Sequence, residues 1–103
     1  MKERRLTARI EAPFPGRLKG VDSTGRVCTE HSVLDNLSNR GLHMCAMRDI
    51  PLGVEVTVAV RLSADAGVAP ALRLAARGRV VRTEPRPDDS CGVAVEFTRR
   101  RIL

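Results

Sequence analysis

Two short segments hold the residues best equipped for chemistry. One is Arg4-Arg5-Leu6-Thr7-Ala8-Arg9; the other is Asn36-Leu37-Ser38-Asn39-Arg40-Gly41. A guanidinium is a planar, permanently charged fork that grips a phosphate, or the adjacent O6 and N7 acceptors of a guanine, through two parallel hydrogen bonds. Arg5 and Arg9 stand four apart with Arg4 directly before them. Asn36 brings both a donor and an acceptor, and Ser38 a hydroxyl that serves as either. Gly41 permits a positive φ or a close backbone approach at the entry to a strand. These side chains suit an anionic ligand. No nucleophile–base pair and no phosphate-cradling glycine loop accompanies them, so no enzyme activity is expected. The bland alternatives are a solvated basic terminus for the arginines and a turn organised by side-chain to backbone bonds for Asn36 and Ser38.

The composition agrees with an anionic partner. Lys and Arg total 18 against 12 Asp and Glu, a formal charge of +6, and only Lys2 and Lys19 are lysines. The chain has two phenylalanines, Phe14 and Phe97, and no Trp or Tyr, so it lacks the aromatic platforms on which single-stranded nucleic acids stack. Nucleic acid is therefore not the expected partner. The three cysteines, Cys28, Cys45 and Cys91, form no CxxC pair, and His31 and His43 sit at no ligand-like spacing. No metal and no cofactor is expected, and the cysteines read as small apolar residues in a reducing compartment. The basic N-terminus is followed by no apolar segment, and no run approaches the roughly 20 apolar residues that span a bilayer. A cytoplasmic location without membrane contact is the expectation. A chain of 103 residues makes one domain.

The elements that must position these groups read as strands. In 53–62, Val54, Val56, Val58, Val60 and Leu62 alternate with Glu55, Thr57 and Arg61, the period of two of a half-buried strand. In 72–84, Leu72, Leu74, Ala76 and Val80 alternate with Arg73, Arg77 and Arg79. In 91–97, Val93, Val95 and Phe97 share a face, and in 41–47 so do Leu42, Met44 and Ala46. Weaker runs cover 16–21 and 26–37. Turn residues separate them at 22–25, 48–53, 63–70 and 85–90. No segment carries a sustained helical period. Six short strands so spaced predict an all-β chain, a closed or nearly closed six-stranded antiparallel β-barrel. The expected layout is an arginine-rich, mobile arm at 1–10, a barrel at 11–98 and a basic tail at 99–103 that frays or begins a short helix.

In this order and on this strand pattern, the two segments resemble the PilZ family. That family carries an RxxxR segment at or before its first strand and a [D/N]xSxxG segment after its second. The closing Gly92-Val93-Ala94-Val95-Glu96-Phe97 is similar to the last strand of its barrel. The resemblance covers nearly the whole chain. It implies binding of the bacterial second messenger cyclic di-GMP through Arg4, Arg5, Arg9, Asn36, Ser38 and Gly41, with Arg40, His43 and Arg77 or Arg79 as further candidates for the lining. As a stand-alone domain, the chain is expected to act through a downstream protein partner or its own oligomeric state. A basic residue at position 4 implies two stacked ligand molecules per chain. Members often end in a helix packed on the barrel; here the chain stops soon after the last strand, so that helix is short or absent. Two other readings stay open: a PilZ-like adaptor that works by protein contacts without ligand, and a basic nucleic-acid-binding barrel. Ligand titration separates the first, and a steep salt dependence on DNA or RNA the second.

Overall fold

The computed structural model describes residues 14–62 and 73–102. They form six strands: β1 (Pro15–Val21), β2 (Val27–Leu37), β3 (Gly41–Ala46), β4 (Glu55–Arg61), β5 (Arg73–Pro85) and β6 (Cys91–Ile102). Every pairing is antiparallel, and the order β1-β2-β3-β6-β5-β4 closes through β1 and β4 into a barrel. The all-β, six-stranded antiparallel barrel expected from the sequence is thus the architecture of the chain, and no helix occurs among the described residues.

Alternation decides which side chains enter the barrel. Val56, Val58 and Val60 of β4, Leu42, Met44 and Ala46 of β3, Leu74, Ala76 and Val80 of β5, and Val93 and Val95 of β6 are all buried. Phe97 is half-buried against this core. Leu18 of β1 and Ile50, from the β3–β4 connection, are completely enclosed. Because side chains alternate inward along most of each strand, one continuous apolar interior forms.

Two acids shape one end of the barrel. Asp22 organises the β1–β2 turn: one carboxylate oxygen accepts from the Thr24 hydroxyl at 2.6 Å and from the Thr24 and Arg26 amides at 2.9 and 3.1 Å. Arg48 donates to the other oxygen at 3.3 Å. These bonds, the Thr24 hydroxyl first, hold the Asp22 pKa down to about 2. Gly25 completes the turn at φ 87°, a conformation that costs glycine nothing. Buried Glu30 accepts from the amides of Met47 and Arg48 at 2.8 and 3.2 Å, satisfying backbone donors where β3 ends. Cys28 is buried nearby as a free thiol, and burial pushes its pKa up, so it packs as a small apolar group.

One boundary differs from the sequence reading. Residues 99–102, read as a basic tail, are the end of β6: Arg99, Arg100, Arg101 and Ile102 pair with Arg77, Ala76, Ala75 and Leu74. Backbone pairing with β5 continues the strand where no apolar alternation announced it. Arg4, Arg5 and Arg9, and the loop read at 63–70, lie outside the described residues.

Candidate functional site

The second of the two motif segments is the connection between β2 and β3. Asn36 sits near the end of β2, opposite His43 on β3. Ser38 makes the turn: its amide donates to the Gly41 carbonyl at 2.9 Å, and its hydroxyl oxygen accepts from the Arg40 amide at 3.2 Å. The Phe97 amide donates to the Arg40 carbonyl at 2.7 Å, tying the turn to β6. Ser38 therefore has a structural task, its hydroxyl also donating to the Gly41 carbonyl at 3.5 Å, in an exposed position. Gly41 is at no positive φ; its reason is proximity. A Cβ there would lie 2.0 Å from the Val95 carbonyl oxygen, so only glycine lets β3 and β6 approach at this point.

The register between β2 and β3 shifts between Leu34 and Asn36, which leaves Asp35 as an extra residue. A bulge of this kind re-aims the side chains around it. Asp35 is turned towards β3, and its carboxylate accepts from His43 Nδ1 at 3.0 Å and from Arg86 Nη2 at 3.2 Å. On the other side of the imidazole, Nε2 lies 3.7 Å from Glu84, and Glu84 in turn is 3.3 Å from Arg82 Nε. Arg86, Asp35, His43, Glu84 and Arg82 thus form a line of alternating partners across β2, β3 and β5. The hydrogen bond to Asp35 pushes the Arg86 pKa further up, so that guanidinium stays charged.

An open groove of about 550 Å³ runs along this surface, walled by Asn36, Ser38, Arg40, Gly41, His43 and Arg82, with Glu84 and Glu96 beside them. Its size is within the range of small-molecule sites, roughly 300–1,000 Å³. Of the residues singled out in the sequence, Asn36, Ser38 and Gly41 meet at this groove, together with Arg40 and His43. Arg77 lines a different cavity, and Arg79 is not among the residues lining this groove. In their place stand Arg82 and Glu84 on the same strand. The physical reason is a bulge between Val80 and Arg82, which breaks the alternation and leaves Val81 and Arg82 both exposed. Arg4, Arg5 and Arg9 are outside the described residues.

Chemically, the groove offers cations at two places, a side-chain amide, a hydroxyl and backbone close to a glycine. Such a surface is suited to a polar, anionic ligand with hydrogen-bonding edges. Among the described residues there is no group of three His, Cys, Asp or Glu side chains that could hold a metal ion. None of the described helices, there being none, is long and apolar enough to cross a membrane.

Neither a curated protein nor a solved structure matches the chain. The family model of the PilZ domain matches residues 3–102, nearly its whole length, and so spans the arginine segment, the Asn36–Gly41 connection and all six strands. With that match and a closed six-stranded barrel, the chain belongs to the PilZ domain family.

Proposed function

We propose that this chain is a cyclic di-GMP receptor whose ligand seats in the groove at Asn36, Ser38 and Gly41 and is gripped from the N-terminal side by Arg4, Arg5 and Arg9. PilZ domains form a family of cyclic di-GMP receptors and adaptors, binding modules rather than enzymes. The observation that carries the reading is the β2–β3 connection. Three separate motif positions come together on one groove that also presents Arg40 and Arg82.

The ligand has two phosphates and two guanines. Arginine forks match the O6 and N7 edge of a guanine and also neutralise phosphate. Asn36 has the donor and acceptor to meet a guanine edge, and Ser38 a hydroxyl to meet a phosphate. Binding orders the segment 1–10, and the ordered arm is the signal that a downstream protein partner reads. Arg4 supplies the extra cation that two stacked ligands, with four phosphate charges close together, require. The proposed setting is the cytoplasm, with neither membrane nor nucleic acid as the partner.

Isothermal titration with cyclic di-GMP tests the proposal, with GTP and cyclic di-AMP as controls. The expected result is selective binding at nanomolar to low micromolar concentration, roughly −8 to −11 kcal/mol. Absence of heat at high micromolar ligand, with no amide shifts at Asn36 to Gly41, overturns it and leaves the adaptor without ligand as the reading.

A further inference from the structure

A second, larger cavity of about 1140 Å³ lies on the outer face of the barrel, and it shares no lining residue with the groove at Asn36. Strand register explains its shape. Arg17 of β1 stands opposite Ala59 of β4, Ala59 opposite Ala75 of β5, and Ala75 opposite Arg101 of β6. One row along, Lys19 is opposite Thr57, Thr57 opposite Arg77, and Arg77 opposite Arg99. The small residues Thr57, Ala59 and Ala75 are therefore a floor. Arg17 and Lys19 rise on one side of it and Arg77, Arg99 and Arg101 on the other.

All five cations are exposed. Among the described residues, the salt bridges lie elsewhere, at Asp22, Asp35 and Glu84. In register, Glu55 and Glu96 both stand opposite Arg79, beyond the end of the two rows, and Glu30, opposite Leu18, is buried. The walls are two to three strand spacings apart, about 10–14 Å. An α-helix with its side chains is about 10–12 Å across.

We propose that this trough is a docking surface for an acidic amphipathic helix of a partner protein. The helix lays a stripe of small or apolar residues on Thr57, Ala59 and Ala75, and its Asp and Glu residues on both flanks meet the two cationic walls. A methyl-lined floor favours a helix over a nucleic-acid backbone, which needs donors where the alanines lie. It also favours a helix over a lipid surface, because the floor presents no large apolar side chain to insert. The long arginine stems lie along the helix sides while their charged ends pair at the rim.

The test uses the full chain, isotope-labelled, and a synthetic amphipathic helical peptide with an Ala/Leu stripe flanked by Glu on both edges. Its controls are the same peptide with every Glu replaced by Gln, a short DNA duplex, and vesicles containing phosphatidylserine. The expected result is saturable amide shifts at Thr57, Ala59 and Ala75 with the acidic peptide. The Gln peptide should bind at least tenfold more weakly, and added salt should weaken the acidic peptide. The double variant Arg77→Glu, Arg99→Glu should lose the shifts; if it does not fold, the Glu/Gln comparison and the salt titration decide alone. Shifts confined to the Asn36–Gly41 groove, indifference to the Glu/Gln exchange, or tighter binding of duplex or vesicles at the same amides overturns the proposal.

Discussion

Gly41 stands opposite Glu96 across the β3–β6 pairing, and the carbonyl oxygen of the preceding residue, Val95, occupies the space a side chain at position 41 would need. A motif position is thereby also a packing position. Gly41→Ala must push two strands apart, and overpacking of this kind costs about 1–3 kcal/mol or more. Urea denaturation should show a lowered midpoint, and ligand titration a weakened affinity. A variant with an unchanged midpoint would show that the strands do not approach as described.

The arginine segment is expected to carry affinity and not stability. Arg5→Ala and Arg9→Ala should each lose about 2–4 kcal/mol of cyclic di-GMP binding, the usual effect of removing a charged hydrogen-bonding partner. The melting temperature should stay near wild type. Titration calorimetry beside a thermal melt checks both halves. Wild-type affinity in either variant removes that arginine from the site.

Ser38→Ala should behave differently. The hydroxyl accepts from the Arg40 amide, so its loss loosens the turn as well as removing the proposed ligand contact. A loss of about 1 kcal/mol in binding, with a smaller loss in stability, is expected. Equal losses in both would assign Ser38 to the turn alone.

Stoichiometry tests Arg4. Wild type is expected to saturate at two cyclic di-GMP molecules per chain and Arg4→Leu closer to one. Clean saturation of wild type at one ligand per chain refutes this while leaving the receptor reading intact.

Asp22 sets a pH dependence. Its folded pKa of about 2 lies below the ordinary carboxylate value, about 3.9 in an unfolded chain. The stabilisation it provides is therefore fully present above the unfolded value and is lost as the pH falls through about 2. Melts of wild type and Asp22→Asn should differ most at neutral pH and converge towards pH ~2. A gap that stays constant over that range would contradict the assignment.

Much of the barrel was legible because apolar residues alternate so regularly. Val56, Val58 and Val60 cannot all be buried except on a strand whose other face is exposed. The end of β6 was not legible. Arg99-Arg100-Arg101 has no alternation, and what extends it as a strand is the long edge of β5 beside it. At the site, Asn36, Ser38 and Gly41 are adjacent in sequence and were visible there. Arg82 and Glu84 reach the groove only because β6 lies between β3 and β5 in the barrel and a bulge follows Val80. Neither Asp35 nor Val81 carries a glycine or proline to mark its bulge, so the line from Arg86 through His43 to Arg82 had no signal in the sequence.

The strand order has a kinetic consequence. β1-β2-β3 and β4-β5-β6 are two meanders of sequence neighbours, each able to form by local hairpin closure in microseconds. The barrel exists only when both seams between them seal, β3 to β6 and β1 to β4. These contacts join residues as far apart in sequence as Gly41 and Glu96, so the long loops must close before the interior gains anything. Folding is accordingly expected on the millisecond-to-second scale of non-local β topologies, with seam closure as the slow event. Gly41 stands on one of those seams. A side chain there obstructs the docking of the two halves, not the formation of either.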